Sequence, residues 1–341
     1  MPFKQILLFT LIFSAGCLKA QLDPSPVVAG LQSDINYLAR GFLEPLGDAS
    51  AAALSRGWHT NANIAEPGSF RVQLSNSLVL VPQAQTNFAI NPSELKELSL
   101  VNPNDNVTPT AFGANRPGVA LQYDNAALPL GLGDREFNMP AGYGFAILPF
   151  TALQTDVSIF KKTELSLRFL PNLQCPYLED TRFNSWGLGL SHNLSQWIQA
   201  WREAPVQMAL VLGYQQLYFE QDLPKGSGEN KSLLLNSEAL NSQFLVSWNQ
   251  GFFALYSLLG YTFAQSNIQL KGTYRYINPL SVSNPEQEIK DPVNFTTTHA
   301  SALSATLGMR FNLLEISFIS AEYTFSYYSA LALNLGIHIK F

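Results

Sequence analysis

Apolar side chains take every second position near the end of the chain. Leu331, Leu333, Leu335, Ile337, Ile339 and Phe341 alternate with Ala332, Asn334, Gly336, His338 and Lys340. A strand sends successive side chains to opposite faces, so one face here is aliphatic and the other small or polar. The same alternation recurs upstream. Phe70, Val72, Leu74, Leu78 and Leu80 oppose Arg71, Gln73, Ser75 and Ser77. Leu165, Leu167 and Phe169 oppose Glu164, Ser166 and Arg168, and Leu210, Leu212 and Tyr214 oppose Val211, Gly213 and Gln215. Ten strands are predicted, at about 69–82, 143–160, 164–173, 183–193, 205–220, 239–249, 252–264, 298–311, 315–327 and 329–341. The stretch 83–142 is long enough to hide another hairpin, so the expected range is ten to fourteen.

The connections sort by length. If the first strand starts on the periplasmic side, the short turns 161–163, 194–204, 249–251 and 312–314 all fall there. The long connections 83–142, 174–182, 221–238 and 265–297 then fall outside. That asymmetry predicts an all-β membrane protein, an antiparallel transmembrane β-barrel of 10–14 strands. Trp186, Tyr143, Tyr214, Trp248, Tyr261, Tyr323, Tyr327 and Tyr328 lie near strand ends, as interfacial girdles would.

The segment before the first strand reads differently. Ser33 and Asp34 suit a helix cap, and Ile35, Leu38 and Phe42 share a face. Pro45 and Gly47 are expected to break that helix, and Asp48 to cap a second short piece, 49–54, of small residues. Residues 21–68 are expected to form a small N-terminal helical plug, or else a segment docked beneath the barrel. The barrel itself takes 69–341.

Composition adds the compartment. Residues 1–20 carry Lys4, an apolar run from Ile6 and small residues towards Ala20, the anatomy of a secretory signal peptide cleaved after Ala20. Cys17 sits in a degenerate lipobox, so lipidation there is the rival processing. Removing Lys4 and Lys19 moves the net charge from −5 to −7, which speaks against nucleic acid as a partner. Cys175 would then stand alone, so neither an intrachain disulfide nor a cysteine metal cluster is expected. The expected location is the cell outer membrane, with outer-membrane lipid as partner and the barrel assembly machinery reading Phe341 as its signal during insertion.

By parity the lumen receives Arg71, Gln73, Gln154, Asp156, Glu164, Arg168, Gln207, Gln243, Arg310, Glu322, His338 and Lys340. Both signs are present, so these charges are expected to pair inside a narrow barrel. They form either a network that fills the lumen or a selectivity lining along a solute path. Catalysis is not expected. His59 lies at the end of the plug, His192 on the lipid-facing parity, His299 at a strand mouth and His338 in the lumen; serines are abundant, so chance pairings with a histidine are expected and do not by themselves mark a nucleophile. No metal or cofactor is expected. Asp105, Asp124, Asp134 and Glu136 share a loop, but Asn104-Asp105-Asn106 lacks the glycine and closing glutamate of an EF-hand.

Four stretches carry a family resemblance: 34–60 (DINYLARGFLEPLGDASAAALSRGWHT), 165–171 with 186–197 (LSLRFLP, WGLGLSHNLSQW), 210–214 (LVLGY) and 321–341. With them the chain resembles a family of uncharacterised outer-membrane β-barrel proteins of the Bacteroidota. More distantly, a helical plug before a barrel is similar to FadL-like transporters of hydrophobic compounds, although none of their ligand-contacting residues matches here. The resemblance implies a fold and a compartment, and no established activity. The expected function is therefore passage of small hydrophobic solutes through a plugged barrel, with a hydrophobic small molecule as ligand. Phe88, Ile90, Phe112, Ile268 and Leu270 in the long loops are its apolar contacts. The alternative is a structural barrel that anchors or scaffolds a protein partner.

Overall fold

The structure is a computed structural model that describes residues 32–123, 136–171, 181–223, 231–277, 286–299, 303–313 and 316–340. The expected signal peptide 1–20, with Cys17, and also Cys175, Asp124, Asp134 and Phe341 lie outside the described residues. Ten strands close into one ring. They are β1 (Ser69–Leu80), β2 (Ile147–Phe160), β3 (Thr163–Leu170), β4 (Thr181–Asn193) and β5 (Val206–Asp222), followed by β6 (Ser232–Gln250), β7 (Phe253–Lys271), β8 (Leu303–Leu313), β9 (Ser317–Phe325) and β10 (Ala330–Lys340). Each pairs antiparallel with its sequence neighbours, and β1 closes the ring on β10 from Ser69↔Lys340 to Val79↔Ala330. Closure leaves no unpaired edge inside a bilayer. The upper half of β7 also pairs with Val293–His299, so its pairing with β8 is extended along the same partner beyond the expected strand 298–311.

Burial alternates as the sequence predicts, and then it inverts. On β5, Val206, Leu210 and Leu212 point outwards and are exposed, while Gln207, Val211 and Gln215 point inwards and are buried. Beyond Tyr214 the chemistry of the two faces swaps: Gln216, Tyr218 and Glu220 now face out, and Leu217 is buried inside. The same swap occurs on β6, where Glu238 and Asn236 face out over buried Leu235 and Leu233. It recurs on β7, where Gln265 and Asn267 face out over buried Ile268 and Leu270. An apolar outer face belongs against lipid, and a polar outer face over an apolar interior belongs in water. The nine positions from Val206 to Tyr214 match the 9–11 residues that a tilted strand needs to cross a bilayer. β5, β6 and β7 then stand clear of the membrane for about two more turns of pleat. This is why the expected strands 239–249 and 252–264 were too short.

The inverted interior is filled by helix α1 (Gln32–Leu54), which packs mainly against β7, β6 and the 293–299 strand. Ile35, Leu38, Phe42, Leu43, Leu46, Ala49 and Leu54 are buried in one apolar cluster with Leu233, Leu235, Ile268 and Leu270. One expectation is corrected here. The helix runs unbroken through Pro45 and Gly47, although an interior proline costs about 3 kcal/mol or more. Burial on nearly every face of residues 42–54 outweighs that penalty, and the small side chains let α1 lie close to the wall. The helix also starts among the long connections: Gln32 Nε2 donates to Pro292 O at 2.6 Å. It descends into the barrel, and residues 55–68 continue to the short-turn end, where Ala62 N–H donates to Ser247 Oγ. The plug thus joins β1 at the short-turn end, while the helix itself lies at the long-loop end, where the lumen is apolar.

The long first connection folds over the helix as two small sheets, Asn87–Ala89 with Val107–Pro109, and Leu98–Leu100 with Ala120–Tyr123 and Glu136–Asn138. Asp34 ties this cap to α1: its carboxylate accepts the backbone N–H groups of Lys96, Glu97 and Leu98 at 3.0–3.3 Å. Asp34 therefore caps a neighbouring loop rather than its own helix. Ile90, Phe112, Ile268 and Leu270 are buried and Phe88 half-buried against α1, so they are not lipid-like loop contacts. Tyr143 and Tyr328 are also buried, inside the cap and beside Asp48, and leave the interfacial set.

Candidate functional site

Below the helix the lumen holds a polar cluster built from the plug and seven strands. The helix ends at Leu54 and turns through Gly57, whose φ of +65° favours glycine. That turn points the carbonyls of Arg56 and Gly57 into the barrel. Arg168, on β3 and fully buried, donates to both at 2.8 and 2.6 Å and to Gln154 Oε1 and Gln215 Oε1 at 3.0 and 3.2 Å. Its guanidinium lies 4.1 Å from the centre of the Trp58 ring. A cation on the C-terminal carbonyls of a helix complements the negative end of the helix dipole. Arg168 thus anchors the plug through neutral acceptors.

Trp58 is 1% exposed. Its Nε1–H donates to Leu54 O, and its carbonyl accepts Gln154 Nε2 and Gln73 Nε2. The ring rests on the barrel wall at Gly189 and Gly213, which pair directly across β4 and β5. A Cβ at those positions would stand 2.7 and 2.9 Å from the indole. The wall therefore has glycine where it meets the largest side chain of the plug.

Beside it lies an ion cluster. Arg71 Nε donates to Asp156 Oδ2 at 2.8 Å and its Nη2 to Glu164 Oε1 at 2.6 Å. The same Nη2 sits 3.1 Å from His59 Nδ1, whose Nε2 is 3.3 Å from Ser166 Oγ. Since a guanidinium only donates, Nδ1 is the acceptor and the imidazole is the neutral Nε2–H tautomer by this network. Glu322 accepts Gly57 N–H and Tyr256 O–H, while Arg56 donates to Ser326 and to Tyr328 O. Arg310 stacks 3.7 Å from the Phe318 ring centre and donates to Thr60. Paired and hydrogen-bonded charges of this kind hold a unique arrangement, and removing one partner strands the others.

The residues read as lumen-lining are placed as follows. Arg71, Gln73, Asp156, Glu164, Arg168, Arg310 and Glu322 converge on the plug. His338 stands across the β1–β10 pair from Arg71, half-buried, and Lys340 ends β10 opposite Ser69. Sequence reasoning missed the plug's own part, Arg56, Gly57, Trp58 and His59. The available signal was the inward parity of Gly187, Gly189 and Gly213, since a row of glycines on a lumen face implies a bulky occupant.

Two chemical readings follow from the distances. His59, Asp156 and Glu164 bring potential ligand atoms within 4.8 Å of one another. The Arg71 guanidinium already sits on both carboxylates, so a metal ion would have to displace it. Ser166, His59 and Glu164 form a serine–histidine–acid succession, with Nδ1 to Oε1 at 3.6 Å. All three are buried under the plug, and Arg71 occupies both the acid and Nδ1, which leaves the histidine no free acceptor for a serine proton. A cavity of ≈ 10 Å³ beside Arg56 and His59 has room for about one water. The cluster locks the plug and presents no open site.

The chain belongs to a family of unknown function, DUF6588, whose model matches residues 3–341. Comparison with curated protein sequences gave no match. Among solved structures, the chain is similar to the outer membrane protease OmpT of Escherichia coli, with 7% identity and a TM-score of 0.33 over 82% of this chain and 97% of that one. It is also similar to the translocator domain of the autotransporter NalP of Neisseria meningitidis, with 8% identity and a TM-score of 0.30 over 91% and 99%. A third is the toluene transporter TbuX of Ralstonia pickettii, with 6% identity and a TM-score of 0.25 over 86% and 94%. At such scores none of these proteins' activities transfers to this chain.

Proposed function

We propose that this protein is an outer-membrane barrel held shut by its own N-terminal segment, and that it works as a rigid scaffold presenting its long-loop end to a protein partner. One observation supports this most: the lumen is filled along its height, by α1 above and by the Arg168–Trp58 and Arg71–Asp156–Glu164 contacts below. A mobile gate would be held by few and exposed contacts. Here buried Asp34 ties the cap to the helix at the top and buried Arg168 ties the plug to the wall at the bottom.

A second reading keeps the passage of small hydrophobic solutes. What favours it is the row of inward rings Phe150, Phe183 and Phe219, at centroid spacings of 6.3 and 6.5 Å, on the wall away from most of the helix contacts.

A tethered plug separates the two. Cysteines replacing Gly47 and Ser266 would stand close enough to bridge, since a Cβ at Gly47 is 3.1 Å from Ser266 Cβ and a shift of a few tenths of an ångström gives disulfide spacing. In a Cys175→Ser background, uptake of an apolar probe into vesicles should be absent with the bridge formed and with it reduced. Uptake that appears only on reduction would establish the gated passage and refute the closed scaffold.

A further inference from the structure

The outer wall of the barrel carries a second site, unconnected with the lumen. Where β4, β5, β6 and β7 leave the membrane, their outward residues lie in direct cross-strand register. One row is Trp186, Gln216, Glu238 and Gln265, and the next row up is Asn184, Tyr218, Asn236 and Asn267. A cavity of ≈ 470 Å³ opens over these two rows, a size typical of small-molecule sites. The row immediately beneath is Leu188, Tyr214, Leu240 and Phe263, the rim of the apolar belt. The cavity therefore faces sideways at the level where lipid headgroups begin.

We infer that this cavity binds a neutral saccharide ring, the headgroup of a glycolipid in the same leaflet. Trp186, 45% exposed, offers an indole on which the C–H face of a pyranose can lie. Asn236 brings an amide that donates and accepts at once, as vicinal hydroxyls require, and the Gln216 and Asn267 amides beside it are held in place by Tyr214 and Glu238 and by Asn294, Phe295 and Thr296. Glu238 is held in place by Tyr214 O–H at 2.7 Å and by the Gln265 amide, so its remaining lone pairs are fixed acceptors for sugar hydroxyls. No lysine or arginine lines the cavity among the described residues, and the neighbouring Arg182 is engaged by Glu220 and Asp222. A phosphate headgroup would meet a carboxylate without a counter-charge, and a purely apolar ligand would strip water from the Glu238 carboxylate without replacing it. A lipid-borne sugar reaches the site by diffusing along the belt, which joins the cavity without a step. The inference rests on the membrane reading of the belt and not on whether the lumen opens.

The test uses the mature protein in nanodiscs, with retained lipid counted by native mass spectrometry. The probes are a monoglucosyl diacylglycerol, phosphatidylcholine and phosphatidylglycerol, with free maltotetraose as competitor. The glucolipid should be retained at least tenfold over both phospholipids, and that preference should fall at least tenfold in Trp186→Ala and in Glu238→Gln. Heat-modifiable gel migration checks that each variant is folded. Displacement of the glucolipid by free maltotetraose at equal concentration would keep the saccharide site and make its source a soluble glycan. Preference for phosphatidylglycerol, or glucolipid retention within threefold of wild type in both folded variants, would overturn the proposal.

Discussion

Replacing Trp58 by alanine tests whether the plug is held from below. The indole is almost wholly buried, fits against Gly189 and Gly213, and carries the Arg168 guanidinium on its face. Truncating a buried tryptophan costs about 3–5 kcal/mol. A desolvated cation–π contact adds about 2 kcal/mol, and the Leu54 hydrogen bond about 1 kcal/mol. These contributions overlap at one ring, so a loss of about 4–6 kcal/mol in plug docking is expected. Trypsin reads it directly, because Arg56 is cleavable only when the plug leaves the lumen. If release precedes cleavage and recloses fast, the rate follows the open population, and at least 4 kcal/mol corresponds to about a thousandfold acceleration. The fragment ending at Arg56 would be followed by mass spectrometry, with Trp248→Ala, on the outer belt, as the control that leaves the rate unchanged. Cleavage at Arg56 within threefold of wild type in folded Trp58→Ala would refute the reasoning and show that α1 alone retains the plug.

Asp34→Ala should free the amides of Lys96, Glu97 and Leu98, each bond to the carboxylate contributing about 1.5–3 kcal/mol. Hydrogen exchange there should accelerate at least tenfold while β5 and β6 stay protected, and unchanged exchange would remove Asp34 as the tie. Gln32→Cys in a Cys175→Ser background should react with a membrane-impermeant maleimide on intact cells, since Gln32 is exposed at the long-loop end. Labelling only after the outer membrane is opened would reverse the orientation. Burial, then the nearby Asp34 carboxylate, pushes the Glu97 carboxyl up from its usual range. The folded cap therefore holds that proton more tightly than the unfolded chain, and its stability falls as pH rises from the ordinary carboxylate range through the raised value. Glu97→Gln should flatten this fall, read as exchange of the Leu98–Leu100 amides corrected for intrinsic rate; a slope equal to wild type would sink it.

What the sequence determined by itself is the wall. Alternation depends only on the two-residue repeat of a strand, so β1, β3, β9 and β10 were legible to within a few residues, and the sorting of short turns from long connections pointed to a closed barrel. The inward parity of Arg71, Asp156, Glu164, Arg168, Arg310 and Glu322 was legible for the same reason. What only the tertiary structure decided is what the wall encloses. The upper parts of β6 and β7 read as loops because their apolar and polar faces exchange roles at the membrane surface, and a window tuned to one parity loses the strand there. The helix persists through Pro45 because the barrel surrounds it, an effect that no local propensity contains. Trp58 lies far from Arg168 in sequence and meets it only because the helix occupies the long-loop half of the lumen and its turn at Gly57 falls at the depth of the glycine pair. Parity says which side chains face inwards, but the depth at which each meets the plug is set by strand register and packing, and those are properties of the closed barrel as a whole.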